Sequence, residues 1–261
     1  MRDKGKAMLA EERQAILLQR LQGNGYVQVS DVASELAVSM ITIRRDLERM
    51  ERQGLCVRTR GGAVRASQST TLEVPYDIKR RRCIEEKRRI AAAAAEIVGD
   101  GETVILDAGS TTYELALLLL RKRALTVVTN DLQIAVKLAS NPNITLVCTG
   151  GIARANVYTL QGSQVEALLR TLHVNKAFLG ADAIHPDGTV ANVNIEEVAV
   201  KQAIARAGEE VVLLADSSKF AVRGFATVCD LSEIDLLISD RGVPQKALDM
   251  LEAKSVAVRL V

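Results

Sequence analysis

Residues 104–112, VILDAGSTT, set a short apolar run against an acid, a glycine and three hydroxyls. An apolar run that ends in small polar residues reads as a strand passing into the first turn of a helix, here over 113–120. The first amides of a helix have no carbonyl one turn back. Together with the positive end of the helix dipole they favour an anion. Gly109, Ser110, Thr111 and Thr112 offer such amides with little bulk. Ser and Thr at such a turn also serve as plain helix caps, so the motif alone leaves both readings open. Recurrence adds weight: Thr129-Asn130, Gly150-Gly151, Gly180-Ala181-Asp182 and Asp216 each follow another apolar run. Glu196, Glu197, Lys201 and Lys219 add carboxylates and cations suited to hydroxyls and phosphate. If the runs are parallel strands their carboxyl ends converge, which is where open α/β sheets bind ligands.

A second set of residues suits a polyanion. Met40, Ile43, Leu47 and Met50 recur at helical spacing and predict the buried stripe of a helix capped by Ser39 and closed at Gly54. The other face carries Ile41, Thr42, Arg45, Glu48, Arg49 and Arg52, with Arg44 on its flank. Residues near the start of a recognition helix reach base edges, so Thr42 and Arg45 are the expected readers, arginine being able to pair with both acceptors of guanine. Ser39 and Arg44 are expected at phosphates. Residues 55–65, LCVRTRGGAVR, predict a hairpin about Gly61 and Gly62 whose Arg58, Arg60 and Arg65 straddle the backbone. Arginines on an isolated amphipathic helix commonly form only a solvated face. The helix before this one and the wing after it favour DNA.

The elements that position these residues follow from local punctuation. Residues 10–21 have helical spacing at Ile16, Leu17 and Leu21, with a stop at Gly23-Asn24-Gly25. Residues 26–29 alternate like a strand. Ser30 and Asp31 are the expected cap and first-turn acid of a helix through Ala37, and Val38-Ser39 form the turn. Residues 66–82, with Ser, Thr, Gln, Pro75 and the basic run 79–82, read as a linker. Beyond them, apolar runs at 104–106, 125–128, 144–147, 176–179, 211–214, 236–238 and 255–260 alternate with helical segments, which predicts a mostly parallel sheet covered on both faces. The expected organisation is a winged helix-turn-helix over 8–65, a linker over 66–82 and a larger α/β domain over 83–261.

Composition agrees. At 261 residues the chain exceeds one typical domain, and 48% apolar with 25% charged residues is globular usage. Aromatics are only 3%, with no Trp, which disfavours a single-strand binder built on stacked aromatic platforms. Residues 1–90 hold 19 Lys and Arg against 12 Asp and Glu, whereas 91–261 hold 15 against 20, so the polyanion belongs to the front of the chain. Cys56, Cys83, Cys148 and Cys229, like His173 and His185, lack metal-ligand spacing, and DAGSTT lacks the glycines of a dinucleotide site. No metal or cofactor is therefore expected. No signal-peptide core and no apolar run of about 18 residues is present, so the expectation is a cytoplasmic protein without a membrane partner.

VSMITIRRDLERMERQG at residues 38–54, followed by Arg58-Thr59-Arg60-Gly61-Gly62-Ala63, resembles the signature of the DeoR family of bacterial sugar-catabolism repressors. The resemblance spans nearly the whole chain. Family members generally carry histidine before the paired glycines, where this chain has Arg60 and keeps a basic wing. DAGSTT, TN, GG, LGAD, residues 196–201 and DSSKF resemble the family's C-terminal sensor, which is similar in fold to ribose-phosphate isomerases and glucosamine-phosphate deaminases. The resemblance implies that Gly109, Ser110, Thr111 and Thr112 cradle a phosphate. Asp107, Asn130, Asp182, Glu197, Lys201 and Lys219 would line the sugar site, with Gly150 and Gly151 among the effector residues. It further implies a repressor released from double-stranded operator DNA by a phosphorylated sugar, acting as a homodimer or homotetramer. A sugar-phosphate isomerase or related enzyme with an appended DNA-binding domain is the alternative, with Asp182, Glu196 or Glu197 as base. An architectural DNA binder is a third reading. The DNA-reading module weighs against the enzyme, so no catalytic residue is expected.

Overall fold

In a computed structural model the described residues are 8–24, 26–58, 61–65, 76–154 and 157–261. The chain divides after Pro75 into two compact units. Gly25, Thr59, Arg60 and residues 66–75 of the expected linker lie outside the described residues.

The N-terminal unit runs α1 (Ala10–Asn24), β1 (Tyr26–Gln28), α2 (Val29–Glu35), α3 (Met40–Arg52), β2 (Cys56–Arg58) and β3 (Gly62–Arg65). The strands form an antiparallel sheet in the order β1-β3-β2, so the expected hairpin has β1 added to its far edge. Leu17 and Leu21 of α1, Val29 and Val32 of α2, and Ile43, Leu47 and Met50 of α3 close on one core with Val27, Cys56 and Ala63. Fully burying side chains of this kind contributes about 1.5–3 kcal/mol each.

α1 ends at Asn24, within the expected stop at Gly23-Asn24-Gly25. Two local expectations are corrected. α2 starts at Val29, not after a Ser30 cap, and stops at Glu35. There the Val29 N–H donates to the Gly61 carbonyl at 2.9 Å, and Val29 and Val32 are buried, so packing rather than a cap sets the helix start. Met40 is 49% exposed, while Asp46 takes a place on the buried stripe of α3.

The second unit opens with α4 (Tyr76–Arg81), inside the span read as linker, and α5 (Ile84–Glu96). There follow β4 (Thr103–Leu106), α6 (Ser110–Leu119), β5 (Leu125–Thr129), α7 (Leu132–Leu138) and β6 (Ile144–Cys148). The short strands β7 (Ile152–Ala153) and β8 (Leu160–Gln161) precede α8 (Ser163–Leu169), β9 (Val174–Gly180), β10 (Ala183–Ile184) and β11 (Thr189–Asn192). The chain ends with α9 (Val198–Ala207), β12 (Gly208–Leu214), β13 (Ala226–Asp230), β14 (Leu236–Ser239), α10 (Gln245–Ala253) and β15 (Ala257–Leu260).

All seven apolar runs are strands of one parallel sheet, ordered β15-β14-β12-β9-β4-β5-β6. Alternate residues bury on opposite faces. Val104 and Leu106 pack with α5, α6 and α7, whereas Ile105 packs with α8 and α9. Burial on both faces is why these strands read as continuous apolar runs. From β4 the chain winds outward through β5 and β6, then returns to β4's other side at β9 and continues to β15. The order therefore reverses between β4 and β9, the point where sheets of this kind open a crevice at their carboxyl ends. A separate antiparallel sheet, β10-β11-β13, was not expected from the sequence.

The two wing glycines have different reasons to be glycine. A Cβ on Gly62 would fall on the carbonyl oxygen of Val27 across the β1-β3 pairing, whereas a Cβ on Gly61 meets nothing. Gly62→Ala is therefore expected to destabilise the N-terminal unit by about 2 kcal/mol or more, and Gly61→Ala to change it by less than about 0.5 kcal/mol. Denaturant unfolding of the two variants followed by circular dichroism checks this, and equal losses would contradict it.

Candidate functional site

The N-terminal unit turns an arginine face outward on α3. Arg44, Arg45, Glu48, Arg49 and Arg52 are all exposed, and Thr42 is half-buried. Ser39 caps the helix: its Oγ accepts the Thr42 N–H at 3.1 Å and lies 2.9 Å from Thr42 Oγ1. One hydroxyl donates to the other, so the pair keeps one further O–H to donate, beside Arg44 and Arg45 as the long side chains of the first two turns. Arg58 is tied back to α3, its guanidinium on Glu48 at 2.9 Å and its N–H on Glu51 at 2.8 Å. An exposed pair of this kind is worth at most about 1 kcal/mol, so a phosphate can replace Glu48.

What aims this face is a pair that the sequence reading missed. Arg13 of α1 holds Asp46 through Nε at 2.7 Å and a second nitrogen at 3.3 Å, with both side chains largely buried. Asp46 has the spacing of the core residues Ile43, Leu47 and Met50, but as a charged residue it was left out of the apolar stripe.

In the second unit the candidate ligand site lies where the strand order reverses. Asp107, at the end of β4, is buried; its Oδ2 accepts the Gly180 N–H at 3.0 Å from the end of β9 and the Lys201 ammonium from α9. Lys201 also donates to the Gly180 carbonyl at 3.1 Å. On the other side, Asn130 Oδ1 accepts the Ala108 N–H at 2.9 Å and Asp131 Oδ2 the Gly109 N–H at 3.2 Å, both from the end of β5. The loop 107–109 is thereby held from both neighbouring strands. It delivers the amides of Ser110, Thr111 and Thr112 at the start of α6, where a helix favours an anion. The Thr112 hydroxyl is spent on the Gly109 carbonyl at 2.9 Å.

The other expected residues form neighbouring clusters. Asp182, just past β9, accepts from Lys79 at 3.0 Å and from the Val193 N–H at 3.1 Å. Glu197 is buried and accepts from Arg154 at 2.7 Å and Asn192 at 2.9 Å. Lys219 lies in a 3-10 turn over Ser217–Ala221, after β12. Gly150 and Gly151 follow β6, two strands from β4, with φ of 67° and 101°. A Cβ on Gly151 would run into Val165 and the Gln161 carbonyl, so backbone geometry accounts for that glycine. Lys79, Asp131 and Arg154 were not singled out from sequence. Asp131 carries a legible signal as the N-cap of α7, whereas Lys79 was hidden in a basic run read as linker.

The charges are mutually supporting. Burial pushes the Lys201 ammonium down, but Asp107, Glu197 and Asp182 outweigh it and hold it above the ordinary lysine range. Burial raises the Asp107 carboxyl against the pull of Lys201 and the Gly180 N–H. Burial likewise acts to raise Asp182, yet Lys79, Lys219 and Lys201 hold it well below the usual carboxylate range. Asp131 is pushed up to about 6 by burial, against three backbone N–H donors. Among the described residues no cluster of His, Cys, Asp and Glu could hold a metal, and no helix is long and apolar enough to cross a membrane.

Comparison with known proteins matches both units. Residues 13–69 fit the profile of the DeoR-like helix-turn-helix domain, and residues 82–241 that of the DeoR C-terminal sensor domain. The chain is 34% identical over 250 residues to the HTH-type transcriptional repressor GlcR of Bacillus subtilis, covering 95% of each chain. It is 28% identical over 253 residues to the glycerol-3-phosphate regulon repressor of Escherichia coli, covering 97% of this chain and 100% of that one. A solved ribose 5-phosphate isomerase A from Methanocaldococcus jannaschii overlaps 53% of this chain and 55% of its own, at 18% identity and a TM-score of 0.40.

Asp46→Ala leaves Arg13 largely buried without its partner and is expected to cost about 3 kcal/mol of N-terminal stability, with DNA affinity falling alongside. Wild-type unfolding for this variant would refute the role of the pair. For Asp131, the folded protein keeps a proton that the unfolded chain releases near the ordinary value of 3.8. Its contribution to stability is therefore largest below about pH 4, declines as pH rises to about 6 and then levels off, a change on the order of 3 kcal/mol. Asp131→Asn should lack that slope, and parallel stability curves for the two proteins between pH 4 and 7 would contradict it.

Proposed function

The chain belongs to the DeoR family of transcriptional regulators, and from that premise we propose that it represses a carbohydrate-catabolism operon and is released from its operator by a phosphorylated sugar. The observation that carries this reading is the held loop 107–109 at the switch point, which presents the amino end of α6 to an anion beside Asp107, Lys201 and Asp182. Phosphate would sit on the amides of Ser110, Thr111 and Thr112 and the hydroxyls of Ser110 and Thr111. Asn130, Asp182, Glu197, Lys201 and Lys219 supply donors and acceptors for sugar hydroxyls. The relative named for a glycerol-3-phosphate regulon supports a phosphorylated polyol as the class of effector.

The three carboxylates named as candidate bases, Asp182, Glu196 and Glu197, favour sensing over turnover. A general base needs a lone pair available to the substrate and a pKa near the working pH. Asp182 is held far below that range, Glu197 is engaged by Arg154 and Asn192, and Glu196 accepts from Gln161 at 2.8 Å. Control of DNA binding then follows from linkage: effector and operator each prefer a different arrangement of the protein, and each weakens the other by about 1–3 kcal/mol. A homo-oligomer reading a two-fold operator fits a recognition helix of this kind.

Thermal melting of the full chain against sugar phosphates, their parent sugars and inorganic phosphate tests the sensor. One sugar phosphate should raise Tm by mass action, its parent sugar should not, and the double change Ser110→Ala with Thr111→Ala should abolish the shift. Steady conversion of that compound would overturn the sensor reading. On the DNA side, Arg45→Ala should weaken operator binding about 10- to 100-fold and random DNA much less, whereas equal losses would remove Arg45 from base reading.

A further inference from the structure

The helix α4 brings to the strand-end site two side chains that no sequence motif marks. Tyr76 is only 3% exposed, its ring edge-on to Tyr113 and Tyr158 with centroids 6.4 and 5.5 Å away. Tyr113 lies in the first turn of α6, and the Tyr158 carbonyl accepts the N–H of Leu132, the first residue of α7. The ring is thus wedged over the two turns that follow β4 and β5. Its phenol oxygen is buried and has no hydrogen-bond partner among the described residues, although it lies within electrostatic reach of Asp131, which holds Gly109. Phenylalanine would fill the same space without burying a hydroxyl, and buried hydroxyls nearly always find a partner.

One turn further along α4, Lys79 reaches the opposite side of the crevice and donates to Asp182 at the end of β9, where Lys201 and Lys219 also converge. The seat of α4 is firm on its other sides. Lys87 donates to the carbonyls of Lys79 and Arg82, and the Arg80 guanidinium stacks 4.2 Å from the centre of the Tyr113 ring. A left-handed residue, Cys83 at φ 49°, separates α4 from α5. One short helix therefore spans the switch point, with an unpaired hydroxyl on the β4-β5 side and an ammonium on the β9 side.

We propose that α4 is the ligand-contacting cover of the effector site: the Tyr76 phenol donates to the bound sugar phosphate, and Lys79 exchanges Asp182 for the ligand's phosphate or an adjacent oxygen. This rests on the sugar-phosphate reading of the same site and adds two contacts to it. It also places the ligand's effect on the first element of the sensor unit, which follows Pro75 directly in the chain. Exchange is feasible because Lys79 and Asp182 are only partly buried and the neighbouring Lys201 and Lys219 keep Asp182 compensated.

The test uses the full chain and a panel of hexose 6-phosphates, hexosamine 6-phosphates, pentose 5-phosphates and glycerol 3-phosphate, read by thermal melting and calorimetric titration. Tyr76→Phe keeps the ring packing and removes the unpaired hydroxyl. It should melt at or above the wild-type temperature without ligand, yet bind the stabilising sugar phosphate about tenfold more weakly. Lys79→Gln should also bind about tenfold more weakly. A merely structural role for Tyr76 would lower the ligand-free melting temperature and leave affinity unchanged. Affinity within twofold of wild type in either variant, with binding still lost in the Ser110→Ala, Thr111→Ala double variant, removes that residue from the site while the sensor reading stands. If no panel compound stabilises the wild-type chain, both readings fall together.

Discussion

Asp107 and Lys201 come from positions 94 residues apart and bury opposite charges at the point where the parallel sheet reverses its order. Neither charge is tolerable there alone, since the cost of removing an ion from water amounts to several kcal/mol unless a partner and hydrogen bonds offset it. Here each has both: Asp107 also accepts from the Gly180 backbone, and Lys201 donates to the carbonyl of the same residue. The pair therefore locks α9 to the ends of β4 and β9. With Asn130 and Asp131 gripping the next two amides from β5, the whole strand-to-helix turn becomes a rigid presentation of the α6 amino end. An anion site gains from such rigidity because little reorganises on binding.

The N-terminal unit uses the same device at smaller scale. Arg13 and Asp46 join α1 to α3, and so hold the helix that presents the arginines. In both units a paired charge under the surface holds the element that carries the candidate site, α3 in one case and the 107–109 loop in the other.

How much of this was legible in the sequence depended on whether the signal was local. The seven parallel strands were, since strands covered by helices on both faces are rich in apolar residues along their length. The exposed face of α3 and the Gly54 closure were too, and the glycine, with φ 65°, matches its expected left-handed conformation. Short strands such as β7, β8 and β10 were not, because two residues give no periodicity. The six residues of α4 are YDIKRR, polar enough to pass for linker; packing of Tyr76 against Tyr113 and Tyr158 makes the helix part of the sensor unit. Asp46 was passed over because only apolar residues were counted into the stripe, and Met40 was misread because spacing was weighed without its place in the first turn, where it is 49% exposed.

The sequence by itself determined the two-part organisation, the identity of the strands, the arginine-bearing helix and the hydroxyl-rich turn before α6. Each of these is a property of residues within a few positions of one another, where helix and strand periods decide which side chains share a face. Only the tertiary structure decided that Asp107 belongs to Lys201, Asp182 to Lys79, Glu197 to Arg154 and Asp46 to Arg13. Such pairings depend on strand order and on which helices cover which face, and ionic attraction between residues 33 to 103 apart in the chain leaves no period by which a sequence could announce it.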